Sequence, residues 1–381
     1  MPPHVAQLHR RMLVGVALLA LGCVAAVLWL WPDSRVDDVG EPPNDVIAGV
    51  VLSVEERREV VDPTFGVSGR FLVIQVELTE GVSRGHVVDV EVPVEGFPDV
   101  QVGDRVTVEA LLTVDGFEYY ITDFVRTPVL LILVLLFVVA VLAISRWHGL
   151  RSLIGLAASL GIVIWFIVPA ILAGRPPALV ALVGSVAIMI ITLYFTHGVK
   201  PMTTAAVLGT TGALALTVTI GTIFISSAKI TGFASDDAVF ARFAVDGALD
   251  LQGLVLAGLI IAALGVLDDV TIAQSSTVFA LHNTDPTLSF TALFARAMVV
   301  GRDHIASVVN TLFLAYAGAS LALLVLFSTG GLPIGELVNS EILATEIVKT
   351  IVGSLGLILA VPFTTALAAT VVRAQPRTAS R

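Results

Sequence analysis

Two adjacent carboxylates, Asp268 and Asp269, lie inside the apolar segment GLIIAALGVLDDVTIAQSS. An ionised carboxylate in hydrocarbon is costly, so such residues usually face a protein interior or a wet cavity and serve ion paths, proton relays or buried partners. On a helix, Asp268 shares a face with Thr271 and Ser275, whereas Asp269 points about 100° away. The pattern predicts a transport or ion-binding site, with a structural polar cluster satisfied by neighbouring helices as the alternative.

A second polar group comes later in the chain. Arg302, Asp303 and His304 precede an apolar segment that carries Asn310 and Thr311. An amide about two turns inside a membrane needs partners, so we expect Asn310 to lie opposite the aspartates. His304 is a candidate to pass protons inward, because histidine is the usual proton shuttle at physiological pH. The alternative is an ordinary surface ion pair followed by an interfacial histidine.

Composition assigns the chain to the multi-pass membrane proteins. Mean hydropathy is +0.94, and charged residues make up only 14% of the chain, against roughly a quarter in soluble domains. A spanning helix needs about 20 predominantly apolar residues. Eight segments satisfy this requirement, at about 12–31, 128–146, 152–173, 177–196, 202–227, 251–276, 305–327 and 347–371. The predicted fold class is an all-α polytopic bundle of about eight transmembrane helices.

Positive residues near the span ends predict the orientation, because cytoplasmic loops are enriched in lysine and arginine. With the N-terminus inside, ten positive residues lie on the inner side: Arg10, Arg11, Arg146, Arg151, Lys200, Arg296, Arg302, Arg373, Arg377 and Arg381. Four lie in the short outer loops: Arg175, Lys229, Arg242 and Lys349. Both termini are therefore predicted to be cytoplasmic, which agrees with an even number of spans.

The region 32–126 differs from the rest of the chain. Its short alternating runs, separated by turn residues, are typical of about five β-strands, and a Gly-Asp turn such as Gly103-Asp104 occurs in many five-stranded OB-type barrels. It holds 20 of the 31 acidic residues and 7 of the 21 basic residues, a net charge of −13. We expect a small all-β, barrel-like domain outside the membrane, inserted after the first helix.

The predicted domain order is an N-terminal anchor, an extracytoplasmic β domain, a seven-helix membrane domain and a cytoplasmic tail, at 1–31, 32–126, 127–372 and 373–381. The alternative for the N-terminus is a cleaved signal peptide with a lipoprotein site at Cys23. The apolar run continues past Cys23 to Trp31, which favours an uncleaved span. Cys23 is the single cysteine, so intramolecular disulfides and Cys-based metal sites are excluded.

Four blocks that occur in order resemble the YibE/F family of bacterial membrane proteins, in its actinobacterial form. They are YYITDFVR, WHGLRSLIGL, ALGVLDDVTIAQSS and GRDHIASVVNTLFLAYAGASL. The resemblance covers about 45–372, and it places the family's acidic residue of the sixth span at Asp269, with Asp268 as a variant feature. The family's GRD and NT pairs fall at Arg302-Asp303 and Asn310-Thr311. The resemblance implies an architecture and names no substrate.

A weaker similarity of layout suggests a mechanism. The layout is similar to half of a resistance-nodulation-division permease or to a Sec export accessory subunit. The shared elements are an anchor span, an external domain, a span with Gly and Asp running inward and a last span containing Val-Pro-Phe. In those proteins intramembrane acids carry protons. This chain has two more spans, a smaller external domain and no lysine placed to pair with the aspartates, so the similarity is an analogy of layout.

The functional prediction is an ion- or proton-coupled transporter of the bacterial cell membrane, with Asp269 as the main titrating or ion-binding group. The alternative is a non-transporting scaffold or export accessory whose outer domain binds envelope partners. An intramembrane aspartyl protease would need aspartates from two helices, and no HExxH, GxSxG or P-loop motif occurs, so we expect no enzyme activity. We expect no cofactor and no nucleic acid. The expected partners are the lipid bilayer, protons or cations, and a second copy or an envelope protein.

Overall fold

The computed structural model describes residues 3–32, 46–61, 68–81, 83–94, 97–113, 116–245, 247, 249–330 and 333–373. The predicted tail therefore lies outside the described residues except for Arg373, as do 33–45 and 62–67 of the predicted outer domain. The chain forms two compact units, one of 37–144 and the other of 1–36 with 145–381.

The first unit contains five antiparallel strands. They are β1 (Val46–Val61), β2 (Ser68–Leu78), β3 (Val87–Pro93), β4 (Arg105–Thr113) and β5 (Gly116–Phe124). The sheet order is β3-β2-β1-β4-β5, and the edge strands β3 and β5 contact each other, so the sheet is nearly closed. This cyclic order is the one found in OB-type barrels, and the small β domain predicted from the sequence is confirmed.

Alternation of apolar and polar residues builds the interior of this barrel. In β3, Val90 and Val92 are buried while their neighbours are exposed, as expected for a pleated strand with one covered face. β1 is long enough to pair with both β2 and β4, and its register shifts between Val51 and Ser53. Such bulges bend a strand and increase its twist, which brings the two edges of the sheet together.

The remaining elements are helical. They are α1 (Pro3–Leu30), α2 (Thr127–Ile162), the π-helix η1 (Val163–Ile167), α3 (Val168–Leu172), α4 (Pro177–His197), α5 (Pro201–Ser227), α6 (Asp236–Ala244), α7 (Leu251–Thr284), α8 (Phe290–Ala319), α9 (Leu321–Thr329), α10 (Ile334–Asn339) and α11 (Glu341–Arg373). Among the described residues six helices are long and apolar enough to cross a membrane, or seven if α8 and α9, bent by 60°, form one span.

One of these six helices is too long for a single crossing. The stretch Thr127–Leu172 has 46 residues, more than twice the roughly 20 that a membrane requires. It is interrupted at Arg146, whose φ of 48° and ψ of −125° are not helical. The sequence analysis placed a cytoplasmic turn between two spans here. The count of eight spans stays a prediction.

Helix α7 lies at the centre of the helical unit, in contact with α4, α5, α8 and α11. Glycines allow α5 and α11 to approach closely: a Cβ added at Gly209 would collide with Thr364, and one added at Gly356 would collide with Thr217. Membrane helices pack through small residues in this way because lipid supplies no hydrophobic force between them. The result is a tight scaffold that holds α7 against its neighbours.

Candidate functional site

Asp268 and Asp269 line a cavity of about 500 Å³. Helix α7 supplies the aspartates, α4 and the second half of α2 supply the opposite walls, and the first residue of η1 completes the lining. The lining residues are Ser152, Gly155, Leu156, Ser159, Leu160, Val163, Ile188, Thr192, Leu193, Thr196, His197, Ile261, Leu264, Gly265, Asp268, Asp269 and Ile272. The polar members gather at one end of these helices, which is the end that the sequence analysis predicts to face the cytoplasm.

The hydroxyl groups of the cavity present oxygen lone pairs. Ser159 donates its proton to the carbonyl of Gly155 at 2.9 Å, and Thr192 donates to the carbonyl of Ile188 at 2.8 Å. A hydroxyl that donates to its own helix keeps its lone pairs for another group. Such oxygens accept a hydrogen bond from a protonated carboxylic acid or coordinate a hard cation.

Asp268 is the more enclosed of the two aspartates. Its Oδ1 is buried and has no hydrogen-bond partner among the described residues, and the hydroxyls of Thr192 and Thr210 face its carboxyl group. Asp269 is exposed at the same cavity. A carboxylate oxygen without a partner is expensive to bury, so this position favours a protonated acid or a bound cation.

A pair of threonines supports the helix turn that carries Asp268. Thr210 of α5 and Thr271 of α7 share a hydrogen bond of 2.6 Å between their hydroxyl oxygens, and Thr271 also contacts the Asp268 carbonyl oxygen at 3.2 Å. Both threonines are fully buried. They therefore hold the two helices in register next to the carboxyl group.

The aspartates have no fixed positive charge paired with them in the part of the chain that the structure describes. Within the described ranges, no lysine or arginine forms a salt bridge with Asp268 or Asp269. His197, at the end of α4, lies close enough to Asp269 for their charges to interact, and Lys200 and His148 lie near His197. Nor do the described residues contain a group of three His, Cys, Asp or Glu side chains able to hold a metal ion. The cavity is thus acidic, with one histidine, His197, in its lining.

A π-helical turn adjoins the cavity. α2 continues into η1, and Pro169 follows two residues after η1 ends. Proline lacks the N–H that would bond the carbonyl four residues earlier, and a widened turn is one way to accommodate this loss. π-helical turns are frequent at functional sites, and here the first residue of the turn, Val163, lines the cavity.

Two predicted site residues support α7 without lining the cavity. Thr271 takes part in the interhelical bond described above. Ser275 donates to the carbonyl of Met202 on α5 at 2.8 Å and is fully buried. Both therefore join α7 to α5.

Helix α8 does not bring its polar residues to the cavity. Arg302, Asp303, Asn310 and Thr311 are exposed, His304 is half-buried, and none of the five lines the cavity. The expectation that Asn310 lies opposite the aspartates is therefore not met. The cause is the rotation of α8, which packs Ile305, Val308 and Val309 towards α7 and α11 and turns the polar stripe away.

Sequence reasoning missed the residues that α2 and α4 contribute, namely Ser152, Ser159, Thr192, Thr196 and His197. A signal was present in the sequence. Ser152 and Ser159 are seven residues apart, Thr192 and Thr196 are four apart, and each pair is adjacent on a helix face. Their convergence on the aspartates depends on how three helices pack, which the spacing within one helix does not reveal.

A family model for YibE/F-like proteins matches residues 133–374. The match covers more than half of the chain and includes every residue that lines the cavity. The chain belongs to the YibE/F-like family. The resemblance found in the sequence is thereby confirmed, and the matched YibE/F-like region excludes α1 and the five strands.

Curated proteins and solved structures gave no match to this chain. The layout similarity to permeases and export accessory subunits therefore stays a prediction. Membership of the YibE/F-like family, together with the long apolar helices, makes the chain a membrane protein.

Proposed function

We propose that this protein is a transporter of the bacterial cell membrane, coupled to protons or small cations that bind at Asp268 and Asp269. The proposal rests on one residue above all: Asp268 helps to line a cavity that also has hydroxyl side chains in its lining, and its buried Oδ1 has no hydrogen-bond partner among the described residues. No catalytic reaction, cofactor or nucleic acid has a part in it.

Free energy favours a bound ion over an empty charged site. An ionised acid at the centre of a membrane helix costs about 2.5–3.5 kcal/mol on insertion scales, and no positive side chain among the described residues is paired with Asp268. The cost falls when the carboxyl binds a proton or a cation. A carboxylate that changes its occupancy in this way is the working group of many ion-coupled transporters.

The chemistry of the lining narrows the class of ion. Carboxylate and hydroxyl oxygens surround the site, and these are ligands of hard cations or of a proton. The single cysteine, Cys23, does not line this cavity, so soft thiophilic metals have no matching ligand here. A proton or a small monovalent cation fits best.

The two aspartates have different surroundings, which bears on which of them binds the ion. The sequence analysis assigned the main part to Asp269 from its place in the family. Asp268 has the more enclosed carboxyl, whereas Asp269 is exposed and lies near His197. We assign ion binding chiefly to Asp268, with Asp269 as the group through which the ion enters or leaves.

The orientation is part of the proposal. With both termini in the cytoplasm, the cavity opens inward and the β domain lies outside. Towards the opposite end, α7 buries its Leu256, Leu259 and Ile260 in an apolar cluster with residues of α5 and α11, and we infer that this packing closes the path in this conformation. Transport then requires a second conformation that opens this side, as in carriers whose sites lie near the membrane midplane.

Flux through the full-length protein in proteoliposomes tests the proposal. Vesicles with an imposed pH, Na⁺ or K⁺ gradient are followed with a pH-sensitive dye and with cation-sensitive dyes. We expect wild type to dissipate one of these gradients and Asp268→Asn to reduce the rate by at least about tenfold, because the neutral amide neither takes up and releases a proton nor supplies the negative charge that attracts a cation.

Two matched variants control the assay. Asp237→Asn removes an exposed carboxylate from α6, and Thr222→Val removes an exposed hydroxyl from α5 that does not line the cavity. Both should transport like wild type. Absence of flux in every gradient, with folded protein in the vesicles, would contradict transport and favour the scaffold alternative.

A further inference from the structure

The second half of α8 has an exposed polar stripe. Five residues at alternating spacings of four and three form one helix face, and all are exposed: Asp303, Ser307, Asn310, Leu314 and Ala317. Arg302, also exposed, lies beside Asp303. We call these five residues, together with Arg302, the α8 stripe. Its spacing is that of the contact positions of paired helices.

Among the described residues of the unit formed by 1–36 and 145–381, none covers the α8 stripe. From Arg302 to Ser340 no described residue is buried. Asn310 has no hydrogen bond, and Arg302 and Asp303 have no salt bridge, among the described residues. The first part of α8 is different, since Leu293, Ala297 and Gly301 are buried against its neighbours.

The depth of the α8 stripe makes this exposure costly. Val309 packs against the apolar cluster that contains Val270, the neighbour of Asp269, so the adjacent Asn310 lies at about the same depth as the aspartates of α7. The hydrocarbon offers no hydrogen bonds.

We propose that the α8 stripe is the interface of a symmetric homodimer, in which α8 of one copy packs against α8 of a second. Two copies inserted in the same direction are related by a two-fold axis along the membrane normal, which brings identical depths together. Arg302 of each copy then faces Asp303 of the other, so that two ion pairs form from one self-complementary dipeptide. Asn310 meets its own counterpart.

Side-chain size and polarity fit this arrangement. Ser307 and Ala317 are small, which lets two backbones approach, and hydrogen bonds between polar side chains join membrane helices. An asparagine at one contact position also fixes register and the number of helices. The charge pattern favours a second copy as the partner, because each copy supplies both Arg302 and Asp303 of the two ion pairs.

Cysteine cross-linking of the full-length protein in membranes tests the pairing. Cys23 is the single cysteine, so Cys23→Ala gives a clean background. Asn310→Cys and Ala317→Cys should form disulfide-linked dimers on mild oxidation. Leu133→Cys on α2 and Phe195→Cys on α4, which are also exposed, should stay monomeric.

A charge exchange tests the ion pairs. In lipid nanodiscs, Arg302→Asp should lower the dimer association constant about tenfold, which corresponds to ~1.4 kcal/mol. Arg302→Asp combined with Asp303→Arg should restore dimers. The proposal is overturned by a wild-type protein that stays monomeric at all lipid dilutions, by equal cross-linking of the control cysteines, or by cross-links from Asn310→Cys to other proteins only. Because no outcome depends on flux, the dimer and the transport proposal fail separately.

Discussion

Thr210 of α5 and Thr271 of α7 are joined by a hydrogen bond of 2.6 Å between two fully buried hydroxyls. The pair lies where α7 presents Asp268 to the cavity, and the Thr210 hydroxyl also faces the Asp268 carboxyl group. This contact joins two helices next to an acid. It therefore couples the packing of the helices to whether the acid holds a proton or a cation. Transport and stability are therefore expected to respond together to changes here.

Replacing these threonines with valine should reveal that coupling. Thr210→Val and Thr271→Val should each lower the free energy of unfolding by about 0.6–1.7 kcal/mol, from the average to the maximum measured for hydrogen bonds between membrane helices. The double variant should cost less than the sum, because the second change removes a bond already lost. Unfolding in mixed micelles measures the values, with Thr222→Val, whose exposed hydroxyl bonds its own backbone, as the control. Additive costs would show that the two hydroxyls do not interact.

The close approach of α5 and α11 predicts a steric effect. Gly209→Ala and Gly356→Ala should destabilise the protein by about 1–3 kcal/mol, since an added methyl in a well-packed interior forces its neighbours to shift. Gly353→Ala is the matched control, because it lies on the same helix with open space around its missing Cβ. Melting temperatures in detergent compare the three. A Gly356→Ala variant as stable as Gly353→Ala would contradict the packing described.

A carboxylate at the start of α11 holds the loop that follows α5. Glu341 accepts hydrogen bonds from the backbone N–H of Thr231 at 2.8 Å and of Gly232 at 2.7 Å, and from the Thr231 hydroxyl. Glu341→Ala should lower stability by about 1–2 kcal/mol, because two backbone donors lose a charged acceptor at a partly exposed site. Hydrogen exchange of 228–235 should rise, while the exposed Glu336→Ala leaves it unchanged. Unchanged exchange in Glu341→Ala would show that the loop is held by other contacts.

The acidic site could be predicted from the sequence because its signal is local. Two aspartates in an apolar helix stand out because burying a carboxylate is costly, whatever residues surround it. The strands of the outer domain are likewise recognised from the two-residue alternation within each strand. Gln274 shows the limit. It is almost fully buried and donates hydrogen bonds to the Ala297 carbonyl and the Thr365 hydroxyl. The sequence alone does not reveal which helices such an amide connects.

The position of α8 shows why the rest could not be predicted. Its sequence offers two faces, one with Ile305, Val308 and Val309 and one with Asn310, and either could turn towards α7. Apolar packing decides for the first face in this chain. Thr192 and His197 were not predicted for a related reason, because they line the cavity only through the packing of α4 against α7.

Asp268 and Asp269 should differ in effect when each is neutralised. Asp268→Asn removes the enclosed group and should abolish transport, whereas Asp269→Asn, on the more exposed carboxyl, should slow it and weaken the apparent affinity for the ion. Initial rates at varied ion concentration separate the two effects. The sequence-based expectation assigned the larger loss to Asp269, so a complete loss in Asp269→Asn with a mild defect in Asp268→Asn would reverse the assignment.

Charge displacement on a solid-supported membrane tests most directly whether Asp268 binds the coupling ion. A rapid change of pH, or of Na⁺ concentration at constant pH, moves charge into the site even when turnover is slow. Wild type should give a transient current that saturates with ion concentration, and Asp268→Asn should give none while its folded amount in the membrane matches wild type. A transient of wild-type size from Asp268→Asn, or no transient from wild type under either change, would contradict ion binding at this carboxylate.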